Sequence, residues 1–79
     1  MEKKYELLED DTIRFEGRTL HRIRALRNFG KVKAGDLGGY IEKESNLSHE
    51  GTCWVFTKSK VYGDAVIFKD IQIVNAKIC

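Results

Sequence analysis

The second half of the chain repeats apolar residues every six positions, and this period restricts the fold more than any other feature of the sequence. From Gly51 the chain divides into four hexads that end at Val74. Branched apolar residues take the fifth position of each hexad, and mostly small residues take the third. The fifth position reads Val55, Val61, Ile67 and Ile73, and the third reads Cys53, Ser59, Ala65 and Ile71. Strands that coil into a solenoid have this kind of period.

The six-residue period extends in both directions, with one irregularity on each side. Ile41 and Leu47 lie six apart, whereas Leu47 and Val55 lie eight apart, which predicts a two-residue insertion near residues 48–51. After the last full hexad the period resumes at Ile78 if one residue is dropped. Three hexads make one turn of a left-handed parallel β-helix, so the hexads predict a little over two turns.

The residues before the repeats predict an antiparallel β cap. Residues 5–8 and 12–15 suit two short strands, with a turn at residues 9–11 between them. Gly17 marks a second turn, after which residues 19–26 fit either a strand or one face of a helix. The turns that precede this segment favour a strand.

Glycines are dense where the cap meets the first hexads. They are Gly30, Gly35, Gly38 and Gly39. We expect them to form sharp corners with positive φ angles, which glycine adopts without steric cost. A phosphate-binding loop is the alternative, but the spacing does not match a P-loop and no Lys-Ser/Thr follows.

A chain of 79 residues predicts one domain, close to the lower size limit for an independent hydrophobic core. We divide it into a β-rich cap, residues 1–36, and a hexapeptide-repeat region, residues 37–79. A composition of 42% hydrophobic and 33% charged residues is that of a soluble globular protein. No apolar run approaches the roughly 18 residues of a membrane helix, and the N-terminus lacks a signal-peptide core. We therefore expect a cytoplasmic protein without membrane contacts.

Two cysteines, Cys53 and Cys79, are expected to be free structural thiols, because cytosolic proteins rarely keep disulfides. The count alone is compatible with one disulfide. Two cysteines and two separated histidines match no zinc-ligand spacing. We therefore predict neither a metal site nor a cofactor.

Positive charge is concentrated in residues 14–33, which contain seven basic residues and one acidic residue, Glu16. The basic residues are Arg14, Arg18, Arg22, Arg24, Arg27, Lys31 and Lys33. Arginine forks suit phosphate or carboxylate recognition. The alternative is that they solvate one face of a sheet or pair with N-terminal acids such as Glu6 or Asp10. Direct nucleic-acid binding is compatible with this segment but not favoured, because the whole chain has a net charge of only +2.

A second apolar column follows the first and should face outward if the first column is buried. Its members are Phe56, Tyr62, Phe68 and Val74, joined by Trp54 and Val66. An outward surface this apolar favours an interface. Two alternatives are that the N-terminal strands fold back over it, or that the hexads flatten into an antiparallel sheet. The last residues lack a polar capping repeat, so we also expect self-association through the end of the solenoid.

Several segments resemble a group of bacterial and phage hexapeptide-repeat proteins. In the repeat region they are residues 35–41 (Gly-Asp-Leu-Gly-Gly-Tyr-Ile), 46–48, 51–55 and 61–65, and in the cap they are residues 17–26. The resemblance implies an N-terminal β cap that leads into a left-handed β-helix. Hexapeptide-repeat proteins are often acyltransferases, in which the active site lies between the solenoids of a trimer and uses a histidine.

Catalytic groups would have to come from His21 or His49. Ser48, His49 and Glu50 are adjacent in sequence, but a triad requires partners that converge in space. We therefore expect His49 to be a solvated loop residue. Asp36 and the acidic pair at residues 10–11 are expected to form turns.

Our leading prediction is a small non-catalytic binding protein, phage-like, that inhibits a host enzyme or defence complex in the manner of an anti-CRISPR protein. Its partner would be a host protein or a protein–nucleic acid complex, and the chain itself would form a homo-oligomer. The predicted partner-binding residues are Arg18, Arg22, Arg24, Arg27, Lys31, Lys33, Trp54, Tyr62 and Phe68. The alternatives are a remnant or trimeric hexapeptide acyltransferase-like protein, or a structural oligomer.

Overall fold

The computed structural model describes residues 3–79, and strands dominate this part of the chain. They are β1 (Tyr5–Phe15), β2 (Arg18–Ala25), β3 (Leu37–Ile41), β4 (Trp54–Val55), β5 (Lys60–Val61), β6 (Gln72–Ile73) and β7 (Lys77–Ile78). A single turn of 3-10 helix covers Glu44–Asn46. The predicted all-β class is confirmed.

β1 and β2 form an antiparallel hairpin. The residues that join them, Glu16 and Gly17, have φ angles of 52° and 78°. Two consecutive residues with positive φ form the tight turn whose twist matches that of the flanking strands. The predicted turn at Gly17 is confirmed, and the segment predicted at residues 19–26 is a strand instead of a helix, with β2 ending at Ala25.

The turn predicted at residues 9–11 is wrong, because β1 continues through this segment. Leu7 pairs with Ile23, and Thr12 pairs with His21, so β1 holds more residues than β2 between these two pairs. Pairing on both sides keeps the chain extended, and the extra residues are accommodated as a bulge that bends the strand.

Three rows of parallel pairs connect the residues that follow the hairpin. The first row is β3, β5 and β7, which joins the hairpin in one five-stranded sheet of order β1-β2-β3-β5-β7. The second row is a bridge between Leu47 and Ile67, and the third is the pair β4 and β6. The chain passes through the three rows in turn and then returns to the first, and we call each such passage a circuit; the first begins at β3, the second at β5 and the third at β7. Because the chain enters a row in the same direction on every circuit, each of these pairs is parallel.

The registers of these rows match the spacing of the hexads. Val55 pairs with Ile73, which lies three hexads further along the chain. Ile41 pairs with Val61, and the circuit between them is longer than three hexads by the predicted two-residue insertion. Val61 then pairs with Ile78, and this circuit is shorter than three hexads by the predicted dropped residue. Both irregularities are therefore confirmed as changes in circuit length.

The fifth-position residues of the hexads form the core. Those of the first circuit, Ile41, Leu47 and Val55, are almost fully buried, and so are the first two of the second circuit, Val61 and Ile67. Ile73 and Ile78, which follow in the same column, are only half-buried. Ile23 of β2 packs against this cluster, so the cap and the repeats share one core.

The outward exposure predicted for Trp54 and Tyr62 is wrong, because the cap folds over both rings. Trp54 is 1% exposed and contacts the rings of Tyr5 and Phe29, with centroids 6.3 Å and 5.3 Å away. Tyr62 is 7% exposed and meets Phe15 at 5.5 Å. The alternative in which N-terminal strands cover this column therefore holds for these two residues.

Phe56 of the same column is half-buried and packs against the core. The other members of the column are exposed and lie on the second circuit. Phe68, Val66 and Val74 are all exposed large hydrophobic residues, together with Ile71 of the third hexad position. Among the cysteines, Cys53 is buried and Cys79 is exposed, and both are free thiols. No helix in residues 3–79 is long and apolar enough to cross a membrane.

Candidate functional site

The arginines of β2 make ion pairs with acids on β1 and just after β3. Arg24 pairs with Glu6 of β1, as expected from the alternative interpretation of the basic segment. Arg18 donates to the carboxylate of Glu42 at 2.8 Å, and the backbone N–H of Gly63 donates to the same oxygen at 2.8 Å. These two donors lower the pKa of Glu42, the backbone hydrogen bond being the larger cause.

Arg22 lies in a polar cluster with an acid and an aromatic ring. Its guanidinium is 3.7 Å from the Asp11 carboxylate and 5.0 Å from the centroid of the Tyr40 ring. The Tyr40 hydroxyl donates to Asp11 at 2.8 Å. Burial, followed by this hydrogen bond, raises the pKa of Tyr40. Asp11 is thus a partner for two side chains of the sheet.

The remaining predicted partner-binding residues are spread over different environments. Arg27 donates to the carbonyl oxygen of His49 at 3.1 Å. Lys31 and Lys33 lie in the part of the cap between β2 and β3, and both are exposed. Arg18 and Tyr62 are brought together, because the guanidinium lies 5.5 Å from the ring centroid. Buried Trp54 and exposed Phe68, by contrast, do not share an accessible surface.

A buried lysine at the start of the chain was not anticipated from the sequence. Lys4 is fully buried, and its ammonium group donates to the carbonyl oxygens of Cys53 at 2.8 Å and Gly51 at 3.3 Å. The Cys53 thiol lies 3.3 Å from the same nitrogen, and the ring of Phe29 is 4.7 Å away. Burial lowers the pKa of Lys4 below its usual value. In a charged N-terminal run, no sequence signal distinguishes this lysine from a solvated one.

The His49 ring is mostly buried and both of its nitrogens have hydrogen-bond partners, so the expectation of a solvated loop histidine is wrong. Its ring stacks on Tyr5 with centroids 4.3 Å apart. The backbone N–H of Lys4 donates to Nδ1 at 3.0 Å. A backbone N–H can only donate, so Nδ1 is unprotonated and Nε2 carries the proton that is donated to Glu44 at 2.6 Å. This hydrogen bond is the main cause of a lowered pKa at Glu44.

His21 has the opposite arrangement. Its Nδ1 lies 3.1 Å from the carbonyl oxygen of Leu8, in the bulge of β1. A carbonyl oxygen can only accept, so Nδ1 carries the proton and Nε2 keeps its lone pair. Within residues 3–79, Nε2 has no hydrogen-bond partner. Of the two histidines, His21 is therefore the one with a nitrogen available as a base.

Phe15, at the end of β1, lies among cations on the outer side of the five-stranded sheet. The ammonium groups of Lys60 and Lys77 are each 5.4 Å from its ring centroid. Lys60 and Lys77 face each other directly on β5 and β7. Neither lysine was expected from the sequence to belong to a site. Their spacing in sequence could have predicted this contact. It equals the spacing between Val61 and Ile78, which is three hexads less the dropped residue.

A comparison with known proteins relates this chain to a bacterial protein with an enzyme name. Over 60 residues, which is 75% of this chain, it is 35% identical to the "uncharacterized acetyltransferase YdcK" of Escherichia coli (strain K12). The matched stretch spans 18% of the length of that protein. No protein-family profile matches the chain.

This similarity overturns the leading functional prediction. A relative named as an acetyltransferase gives no support to a phage-like inhibitor of a host enzyme or defence complex, and that prediction is wrong. It also conflicts with the expectation of a non-catalytic protein, because the name denotes an enzyme. The acyltransferase-like alternative agrees better with the comparison. The misleading signal was the cluster of arginines, of which the structure pairs Arg18, Arg22 and Arg24 within the sheet.

Proposed function

We propose that this chain is an acyltransferase-like β-helix protein that binds acyl-coenzyme A as part of an oligomer. The observation that carries the proposal is the set of three parallel rows. Partners in these rows lie three hexads apart in sequence, a spacing that the two-residue insertion lengthens and the dropped residue shortens where they occur. Three hexads are the length of one turn in a left-handed β-helix. In the proposal the rows are the three sides of such a helix, and β1 and β2 cap its first turn.

The similarity to a protein named as an acetyltransferase supports the same function. The match spans only 18% of that protein, so the similarity alone does not assign its activity to this chain. We propose the activity here on the structure and the similarity together. The resemblance to hexapeptide-repeat proteins adds that the active site would lie between solenoids. Oligomer formation is therefore part of the proposal.

Acyl transfer needs a base for the nucleophile of the acceptor. The acceptor oxygen or nitrogen attacks the thioester carbon, its proton passes to the base, and the base returns the proton to the departing coenzyme A sulfur. His21 suits this role because the carbonyl of Leu8 holds its Nδ1–H and leaves the Nε2 lone pair available. His49 is a poor candidate, because both of its nitrogens are engaged.

Exposed apolar residues on the second circuit support self-association. Phe68, Ile71 and Val74 are 46%, 41% and 64% exposed, and they follow one another closely along the chain. Burial of such surface against another copy would contribute about 25 cal/mol per Å² of apolar area. We propose this surface as the contact between copies.

The test combines acetyl-coenzyme A binding with sedimentation. We expect the protein to sediment as an oligomer and to bind acetyl-coenzyme A in equilibrium dialysis. His21→Gln should keep binding and oligomer size but lower the rate of acetyl transfer by at least about 100-fold, the typical contribution of a general base.

His49→Gln is the matched control for this experiment. Because His49 has no available nitrogen, its replacement should lower stability more than it lowers the transfer rate per folded molecule. A protein that sediments as a monomer at all concentrations and does not bind acetyl-coenzyme A would contradict the proposed function. Equal rates for wild type and His21→Gln would contradict the role of His21 alone.

A further inference from the structure

One row of side chains crosses the outer face of the five-stranded sheet. Arg22 pairs in register with Tyr40, Tyr40 with Lys60, and Lys60 with Lys77. Residues directly opposite on neighbouring strands point to the same side of a sheet. The row therefore contains three cations on one face.

The two ends of this row differ in how charge is compensated. Arg22 has the carboxylate of Asp11 3.7 Å away. Lys60 and Lys77 take part in none of the ion pairs formed within residues 3–79. Glu42, which follows β3, is already bound by Arg18 and by the Gly63 N–H. Like charges directly opposite each other destabilise a sheet, and within the described residues no ion pair offsets this cost for the two lysines.

The ring of Phe15 contacts the ammonium groups of both lysines. Both ammonium groups are 5.4 Å from its ring centroid, within cation–π range. Tyr62 packs against the ring at 5.5 Å and is itself buried, which restricts the position of Phe15. Lys60 is half-buried and Lys77 is exposed, so the pair is accessible from solvent.

We propose that Lys60, Lys77 and Phe15 form a binding site for the phosphate dianion of a small phosphate monoester. Neighbouring strands lie about 4.8 Å apart, so the two ammonium groups can reach oxygens of a single phosphate. The second pKa of a phosphate monoester is about 6, so well above that pH the group carries two negative charges. These match the two positive charges of the lysines. Binding would replace the repulsion between the lysines with charge-assisted hydrogen bonds. This inference does not depend on the proposed acyl transfer.

A nucleic-acid strand is a poorer match to the same residues. Backbone binding along a strand needs a track of cations that continues from one phosphate to the next. The next cation in the row is Arg22, and Asp11 already compensates it. The site therefore suits one phosphate group.

The test is a titration of the ¹⁵N-labelled protein with inorganic phosphate at pH 8, followed by backbone amide chemical shifts. Ionic strength is kept constant with sodium chloride, and a chloride-only titration runs in parallel. We expect saturable shifts near residues 15, 60 and 77 with phosphate only. Lys60→Gln and Lys77→Gln should each raise the phosphate Kd about tenfold, the effect of losing one charge-assisted hydrogen bond. Lys33→Gln, which changes a lysine outside this row, should keep the wild-type Kd.

Weaker phosphate binding could also arise if a variant unfolds. The stability of each variant in phosphate-free buffer distinguishes this case from the loss of a binding group. There both lysine variants should be at least as stable as wild type to urea, because each removes the repulsion of the pair. Wild-type Kd values in both variants, or equal shifts with chloride, would overturn the proposal. It would also be overturned if a short oligonucleotide bound through the same residues more tightly, per phosphate, than inorganic phosphate does.

Discussion

At the scale of single residues, the adjacent glycines of β3 are required for close approach and not for corners. Gly30 and Gly35 have positive φ angles of 50° and 94°, as predicted, but Gly38 and Gly39 do not. A Cβ atom on Gly39 would lie 2.5 Å from the carbonyl oxygens of Phe56 and Ser59. The chain of the same circuit passes too close for any side chain there.

Gly39→Ala should therefore be far more damaging than its size suggests. We expect a loss of about 3 kcal/mol in the free energy of unfolding, because backbone atoms must move. Gly17→Ala is the control, since its positive φ of 78° is strained for alanine but no atom lies within 4 Å. It should cost about 1 kcal/mol in urea denaturation. Equal losses at both positions would show that steric contact is not the cause.

Glu42 should contribute to loss of stability in acid. Its pKa in the folded protein is lowered from 4.5, chiefly by the Gly63 N–H and then by Arg18. The stability it contributes is therefore present above pH 4.5 and is lost as the pH falls through the lower folded-state pKa.

Glu42→Gln tests this contribution by urea unfolding between pH 7 and pH 3. The variant should be less stable than wild type at pH 7 and should lose less stability on acidification. Glu50→Gln, at an exposed position, serves as the control. If the difference between wild type and Glu42→Gln is the same at every pH, the carboxylate charge is not responsible.

At the scale of elements, the start of β1 is held to the first circuit by side-chain hydrogen bonds to backbone. Tyr5 is buried, and its hydroxyl lies within hydrogen-bond distance of the carbonyl oxygens of Glu44 and Leu47. Lys4 makes similar bonds to residues 51 and 53. Burial raises the pKa of Tyr5, so the hydroxyl stays protonated as a donor.

Tyr5→Phe should loosen this contact without changing the core. Loss of the hydroxyl leaves buried carbonyl groups without their donor, and we expect a cost of about 1.5 kcal/mol in the free energy of unfolding. Tyr40→Phe, whose hydroxyl has a half-exposed carboxylate partner, should cost about 0.5 kcal/mol. A smaller loss for Tyr5→Phe than for Tyr40→Phe would contradict this account.

At the scale of the whole molecule, burial decreases along the chain toward the last strands, β6 and β7. Ile41, Val61 and Ile78 are stacked in one row across β3, β5 and β7. Ile41 and Val61 are fully buried, whereas Ile78 is half-buried. The cap covers the first circuit, and stability should follow the same gradient.

Substitutions in one row can measure that gradient. Ile41→Ala should cost about 3 kcal/mol, as expected for a buried residue, and Ile78→Ala about 1 kcal/mol. Amide hydrogen exchange should be slower at residues 41 and 61 than at residue 78. Similar costs at the two isoleucines would mean that β7 is as well packed as β3, for instance through contact with another copy.

The sequence predicts the registers of the parallel pairs if the hexads coil, but by itself it also allows an antiparallel sheet. The six-residue period, the insertion between Leu47 and Val55 and the dropped residue before Ile78 predict which residues pair, because each circuit must return in step with the one before it. The cap is predicted less well. β1 passes through a charged segment that is typical of a turn, and only pairing with β2 keeps that segment extended.

The candidate sites depend on contacts that no local pattern specifies. Only in the folded chain are Trp54 and Tyr62 covered, and only there does Lys60 meet Lys77 beside Phe15. The arginines of β2 likewise meet acids from other parts of the chain. Periodicity acts along one strand or one circuit, whereas burial and charge pairing depend on which distant segment folds over that circuit. In this protein the hairpin of β1 and β2 is that segment.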